Sequence, residues 1–157
     1  MYERSEKMSP GLLYQNGSWP HGDAAVETRA RVVPGPHRIL LVEDDPALAT
    51  LYKLRLELEG HEVVVASDGE QAAKQAAAVR PDLLVVDLHL PKVRGLKVLE
   101  ALRQEETITS LRIGILTDVE DDAIRKQATE LGAVACLFKP RIGPSELSSL
   151  VLGWLNA

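Results

Sequence analysis

Five short apolar runs recur along this chain at near-regular spacing, and four of them end on a polar residue able to do chemistry. Asp44 closely follows ILLV, Asp87 follows LLVV, Thr117 follows IGIL, and Lys139 follows VACLF. A run of 4–6 Val, Ile and Leu residues reads as a strand covered on both faces. If such strands lie parallel, their carboxyl ends share one edge of the sheet. Ligand sites of open α/β sheets form just outside that edge. Two carboxylates, a hydroxyl and an ammonium would converge there.

The segments between the runs read as helices. The expected order is strand 38–43, helix 46–59, strand 62–66, helix 69–79, strand 82–87, helix 95–104, strand 112–117, helix 120–131, strand 134–138 and helix 144–155. Asp45 suits an N-cap, Pro46 and Pro144 suit first helical positions, and Gly60 and Gly132 suit helix stops. Five βα units joined by short links predict an α/β fold with a parallel sheet and helices on both faces. Residues 1–36 lack periodicity and carry four of the nine prolines, so they read as a disordered extension, leaving 37–157 as the folded domain.

Composition narrows the function classes. The net charge of −5 and the lack of a basic run argue against direct binding of nucleic acid. A single cysteine, Cys136, excludes an internal disulfide framework and fits a reducing cytoplasm. No stretch approaches the roughly 18 apolar residues of a membrane span, and the N-terminus lacks the apolar core of a signal peptide.

Glu43 and Asp44 form an acidic pair at one strand end, and Asp87 ends the most apolar strand. Hard Mg²⁺ takes oxygen ligands, commonly one or two carboxylates with waters and phosphate. Carboxylates brought together without a cation would repel. A carboxylate so neutralised is a nucleophile able to attack phosphorus. Thr117 can donate to a phosphoryl oxygen, and Lys139 can neutralise one as a point charge. Lys139 precedes Pro140, which favours extended backbone and raises the option of a cis peptide bond. His89 reads as an exposed loop residue. Asp118 reads as a cap of the fourth helix, with Asp121 three residues on. A sharper reading has it crowd an incoming phosphoryl group.

The set ILLVEDDP, DLHLPKVRG, ILTD and GAVACLFKP closely resembles the receiver domain of bacterial two-component response regulators, over residues 38–157. The resemblance implies a flavodoxin-like (βα)5 fold with strand order 2-1-3-4-5. It implies Asp87 as phosphoacceptor, and Glu43, Asp44, Asp87 and the backbone carbonyl of His89 as the Mg²⁺ site, with Asp44 a direct ligand. Thr117 and Lys139 would bind the phosphoryl group, and Gly95 matches the glycine that starts the third helix. A sensor histidine kinase or phosphotransfer protein would be the donor. With no second domain after residue 157, the expected output is contact with a downstream protein, with a homodimer as an option. Autocatalysed transfer and dephosphorylation make this a signalling protein rather than an enzyme.

Three positions depart from the family pattern. Asp118 stands where a small residue is usual, Cys136 where an aromatic is frequent, and Arg141 where an aromatic commonly follows Lys-Pro. Asp118 and Cys136 are therefore candidate modulators. Two alternatives stay open. One is a pseudo-receiver that binds protein without being phosphorylated. The other is a Mg²⁺-dependent phosphatase or mutase, whose usual Asp-x-Asp after the first strand is absent, since Glu43 lies two before Asp45.

Overall fold

In the computed structural model of the chain, which describes residues 36–89, 95–104 and 111–157, the five apolar runs form one parallel sheet. The strands are β1 (Arg38–Val42), β2 (Glu62–Ala66), β3 (Leu83–Asp87), β4 (Arg112–Thr117) and β5 (Ala135–Phe138). Their order is β2-β1-β3-β4-β5, the order expected from the resemblance. The helices are α1 (Pro46–Leu58), α2 (Gly69–Val79), α3 (Gly95–Gln104), α4 (Asp122–Glu130) and α5 (Pro144–Asn156). The expected extension 1–36 lies, apart from Pro36, outside the described residues, as does most of the loop after β3.

Side chains alternate across the sheet, and that alternation sorts the core into two layers. Ile39, Leu41, Leu83, Val85 and Leu116 pack with Ala49, Tyr52 and Leu56 of α1 and Leu147, Val151 and Leu155 of α5. Leu40, Val42, Leu84, Val86, Ile113 and Ile115 point the other way, onto α2, α3 and α4. Both faces are covered, so the central strands need no polar face. All five residues of β3 are buried, including Asp87. That is why these runs are continuously apolar rather than alternating.

The starts of α1, α2 and α4 are fixed by carboxylates. Asp45 accepts from the N–H groups of Ala47 and Leu48, at 2.9 and 3.2 Å. Asp68 accepts from Gln71 N–H at 2.9 Å, and Asp121 from Ala123 N–H at 2.8 Å. Each such cap is worth about 1 kcal/mol. Gly60 and Gly132 follow α1 and α4 with φ of 92° and 81°, a conformation that costs other residues strain.

Several expectations are corrected at this level. The fourth helix begins at Asp122, not 120, and its cap is Asp121, not Asp118. The hydroxyl of Thr117 takes the N–H of Val119 and donates to its carbonyl, which extends the turn and delays the helix. Lys139 is not extended: Lys139–Arg141 is a single 3-10 turn closed by Ile142 N–H on Lys139 O at 3.0 Å. No cis peptide bond occurs among the described residues.

Two tests follow from this packing. A Cβ added at Gly114 in β4 would sit 2.5 Å from Trp154 of α5. Gly114→Ala should therefore destabilise by about 1–3 kcal/mol, the range for overpacking, and Trp154→Leu should reduce that cost in a urea double-mutant cycle. The second concerns His61, which is buried beside His37, with ring centroids 5.7 Å apart. Burial, and then His37, push the His61 pKa below its ordinary 6.5. Its neutral form is favoured by folding, so its contribution is complete above the ordinary value. It is lost as pH falls from there through the depressed folded value. His61→Leu should flatten the decline in unfolding free energy between neutral and mildly acidic pH; an unchanged slope would contradict it.

Candidate functional site

β1, β3 and β5 deliver their polar ends to one edge of the sheet, the carboxyl edge. The register places Asp87 beside Leu116, one residue before Thr117. Glu43 follows β1 directly and is anchored by its N–H on Ala66 O at 3.0 Å. The ammonium of Lys139, at the end of β5, reaches both acids. Its Nζ lies 2.5 Å from Asp87 Oδ2 and 3.0 Å from Glu43 Oε1. Glu43 Oε2 lies 2.8 Å from the same nitrogen, so both carboxylate oxygens of Glu43 are in ion-pair contact with the ammonium.

These groups are poorly hydrated. The side chains of Glu43 and Asp87 are 0 % and 1 % exposed, and that of Lys139 is 13 % exposed. Burial raises the Glu43 pKa, opposed by the bond from Lys139 and that from Asp45 N–H at 3.2 Å. For Lys139, burial works against the charge. The bonds to Asp87 and Glu43 more than offset it, so its pKa is raised and the ammonium persists. Asp87 Oδ1 accepts from His89 N–H at 2.9 Å, which fixes the carboxylate from the loop side.

The carboxylates of Glu43, Asp44 and Asp87 each offer an oxygen within 4.8 Å of the others, with Asp44 the exposed member. Three carboxylates against one ammonium leave a formal excess of two negative charges. An all-oxygen set with two buried members and one facing water fits a hard divalent ion that keeps part of its water shell.

The remaining predicted residues fall around this centre. Thr117 is buried at the end of β4, with its hydroxyl engaged by Val119. Gly95 starts α3. Cys136 is half-buried in β5 against the α2–α4 layer, and burial pushes its thiol pKa up. Asp118 is exposed and lies 4.0 Å from His89 Nδ1.

Three contacts were not anticipated. Tyr52 of α1 donates to Ile142 O at 2.8 Å and so ties the turn after Lys139 to α1, on the same face of the sheet as α5. Arg141 stacks over Phe138 at 5.3 Å and pairs with Glu120 at 3.1 Å. His89, Asp118 and Asp87 offer a second set of ligand atoms within 4.8 Å of one another. Only the last had a sequence signal: His89 stands two after Asp87, and Asp118 directly follows Thr117.

Comparison with known proteins agrees with this geometry. Residues 39–151 match the response regulator receiver domain. The Bacillus subtilis alkaline phosphatase synthesis transcriptional regulatory protein PhoP is 38% identical over 114 residues, 73% of this chain and 46% of that protein. The Synechocystis DNA-binding dual master transcriptional regulator RpaA is 37% identical over 66% of this chain and 43% of its own length. The chain thus spans under half the length of these curated relatives. A crystal structure of a putative response regulator from Chloroflexus aurantiacus superposes with a TM-score of 0.71 at 34% identity, covering 78% of this chain and 99% of that one. The chemotaxis response regulator CheY4 of Vibrio cholerae shares the fold, with a TM-score of 0.71 at 24% identity over 76% of this chain and 98% of that one. The strand order, the acidic edge and these matches together make the chain a member of the response regulator receiver domain family.

Proposed function

We propose that the chain is a phosphoacceptor in a two-component relay, with Asp87 the residue modified. The donor is a phosphohistidine on a sensor kinase or phosphotransfer protein. A carboxylate oxygen of Asp87 attacks phosphorus, and the bond from phosphorus to the donor imidazole breaks. The imidazole nitrogen keeps the electron pair. The product is an acyl phosphate on Asp87. Water later attacks the same phosphorus, restoring the carboxylate and releasing inorganic phosphate.

The observation that carries this reading is a buried carboxylate at the end of the third strand with an ammonium at 2.5 Å and an acidic pair beside it. Among the described residues, Asp87 is the buried carboxylate that both Lys139 and the His89 N–H engage. Lys139 supplies a fixed positive charge where phosphoryl oxygens would gather, and preorganised charge is usually the largest contribution to catalysis of such transfers. His89 N–H orients the Asp87 carboxylate. Glu43, Asp44, Asp87 and the His89 carbonyl would hold Mg²⁺, which supplies further charge neutralisation when bound. Thr117 would exchange its Val119 partners for a phosphoryl oxygen and so couple modification to the β4–α4 turn.

The chemistry is a single self-catalysed acceptance and release, not turnover of an external substrate. Output in this reading is a protein contact on the α4, β5 and α5 side, where Val119 and Val134 are 44 % and 45 % exposed. The Synechocystis relative RpaA is named as DNA-binding, a property of that protein. The acidic net charge of this chain favours a protein partner. No helix among the described residues is long and apolar enough to cross a membrane.

Incubation with Mg²⁺ and a small acyl phosphate, or with a panel of purified histidine kinases, should add one phosphoryl group by intact mass. Asp87→Asn should abolish it. Retained labelling in that variant would overturn the assignment. A wild-type chain refractory to every donor would favour the pseudo-receiver instead.

A further inference from the structure

We infer that Asp87, His89 and Asp118 form a second cation seat, of mixed nitrogen and oxygen ligands, that selects a borderline transition ion such as Zn²⁺ over Mg²⁺. The loop after β3 brings the imidazole, the loop after β4 brings one carboxylate, and the buried Asp87 brings the other. Their ligand atoms all lie within 4.8 Å of one another. His89 Nδ1 and Asp118 Oδ2 are 4.0 Å apart. That is too long for a hydrogen bond. It matches two ligands of one ion, which at bonds of about 2.0–2.2 Å stand roughly 3–4 Å from each other.

The three differ in freedom. Asp87 is 1 % exposed and held by Lys139 and His89 N–H. Its Oδ1 receives one hydrogen bond, and a carboxylate oxygen has two lone pairs. The side chains of His89 and Asp118 are each 51 % exposed, so both can close onto an ion without disturbing the core. One buried anchor and two movable ligands leave further positions to water.

The two seats on this edge differ in softness. Glu43, Asp44 and Asp87 offer oxygen alone, which suits Mg²⁺; the imidazole of the second seat suits Zn²⁺, Ni²⁺ or Cu²⁺. Both use Asp87. An ion in the second seat would occupy lone pairs that the attack on phosphorus requires, so Zn²⁺ should antagonise phosphorylation. That antagonism rests on the phosphoacceptor reading; the seat itself does not.

The test is titration of the full chain with Zn²⁺ and with Mg²⁺ by calorimetry, with folding checked by circular dichroism. Asp118→Asn and His89→Ala should each weaken Zn²⁺ by at least about ten-fold, since even groups that only support a ligand are worth ten- to hundred-fold. Asp44→Asn should weaken Mg²⁺ and spare Zn²⁺. In a labelling assay, saturating Zn²⁺ should slow modification of the wild type, and Asp118→Asn should relieve that slowing. Zn²⁺ affinity unchanged in both His89→Ala and Asp118→Asn, or lost in Asp44→Asn instead, would overturn the inference. If Asp87 takes no phosphoryl group at all, the functional reading fails while the titrations still decide the seat.

Discussion

The ammonium of Lys139 joins strand ends that are far apart in sequence. Asp87 lies 52 residues away and Glu43 lies 96. The first contact needs the ends of β3 and β5 brought together and the second those of β1 and β5, so the two together report the order of the inner strands. The pair also solves a problem that the topology creates. A parallel sheet covered on both faces buries the ends of its central strands, and two of those ends here carry carboxylates. Burying one unpaired charge costs several kcal/mol. Lys139 offsets that cost for Glu43 and Asp87, and the residual negative charge leaves the edge poised for a divalent ion.

The rest of the fold serves that edge. The side chains of β1 and β3 alternate onto α1 and α5 on one face and α2, α3 and α4 on the other, which fixes the height and rotation of Glu43 and Asp87. Tyr52 reaches from α1 to the carbonyl of Ile142 and holds the turn that begins with Lys139. Arg141 braces the same turn through Phe138 and Glu120. An arginine thus stands over an aromatic ring where the family commonly places an aromatic of its own, and the turn stays attached to the loop that follows Thr117.

Much of this was legible in the residues. Continuous apolar runs gave the buried strands, and Asp45, Pro46, Gly60 and Gly132 marked helix limits that the backbone then adopts. The edge set of Glu43, Asp44, Asp87 and Lys139 was legible because a strand's last residue has only one place to go in a parallel sheet. Other features depend on tertiary contact. Asp118 and Asp121 are equally good caps by type; the hydroxyl of Thr117, spent on Val119, decides for Asp121. The 3-10 turn at Lys139–Arg141 is closed by a backbone bond from Ile142 N–H to Lys139 O, which no residue type there announces. The sequence sets His89 and Asp118 each beside a site residue, but only the fold brings these two loops, 29 residues apart, together.

The central claim is that Lys139 and a divalent ion share the neutralisation of one acidic edge. Urea unfolding of Lys139→Ala, with and without Mg²⁺ at pH 8, tests it most directly. Removing one partner of a buried ion pair costs about 3–5 kcal/mol, so the variant should be destabilised by an amount in that range. Mg²⁺ should then stabilise the variant by more than it stabilises the wild type. A variant as stable as the wild type, or one indifferent to Mg²⁺, would contradict the account.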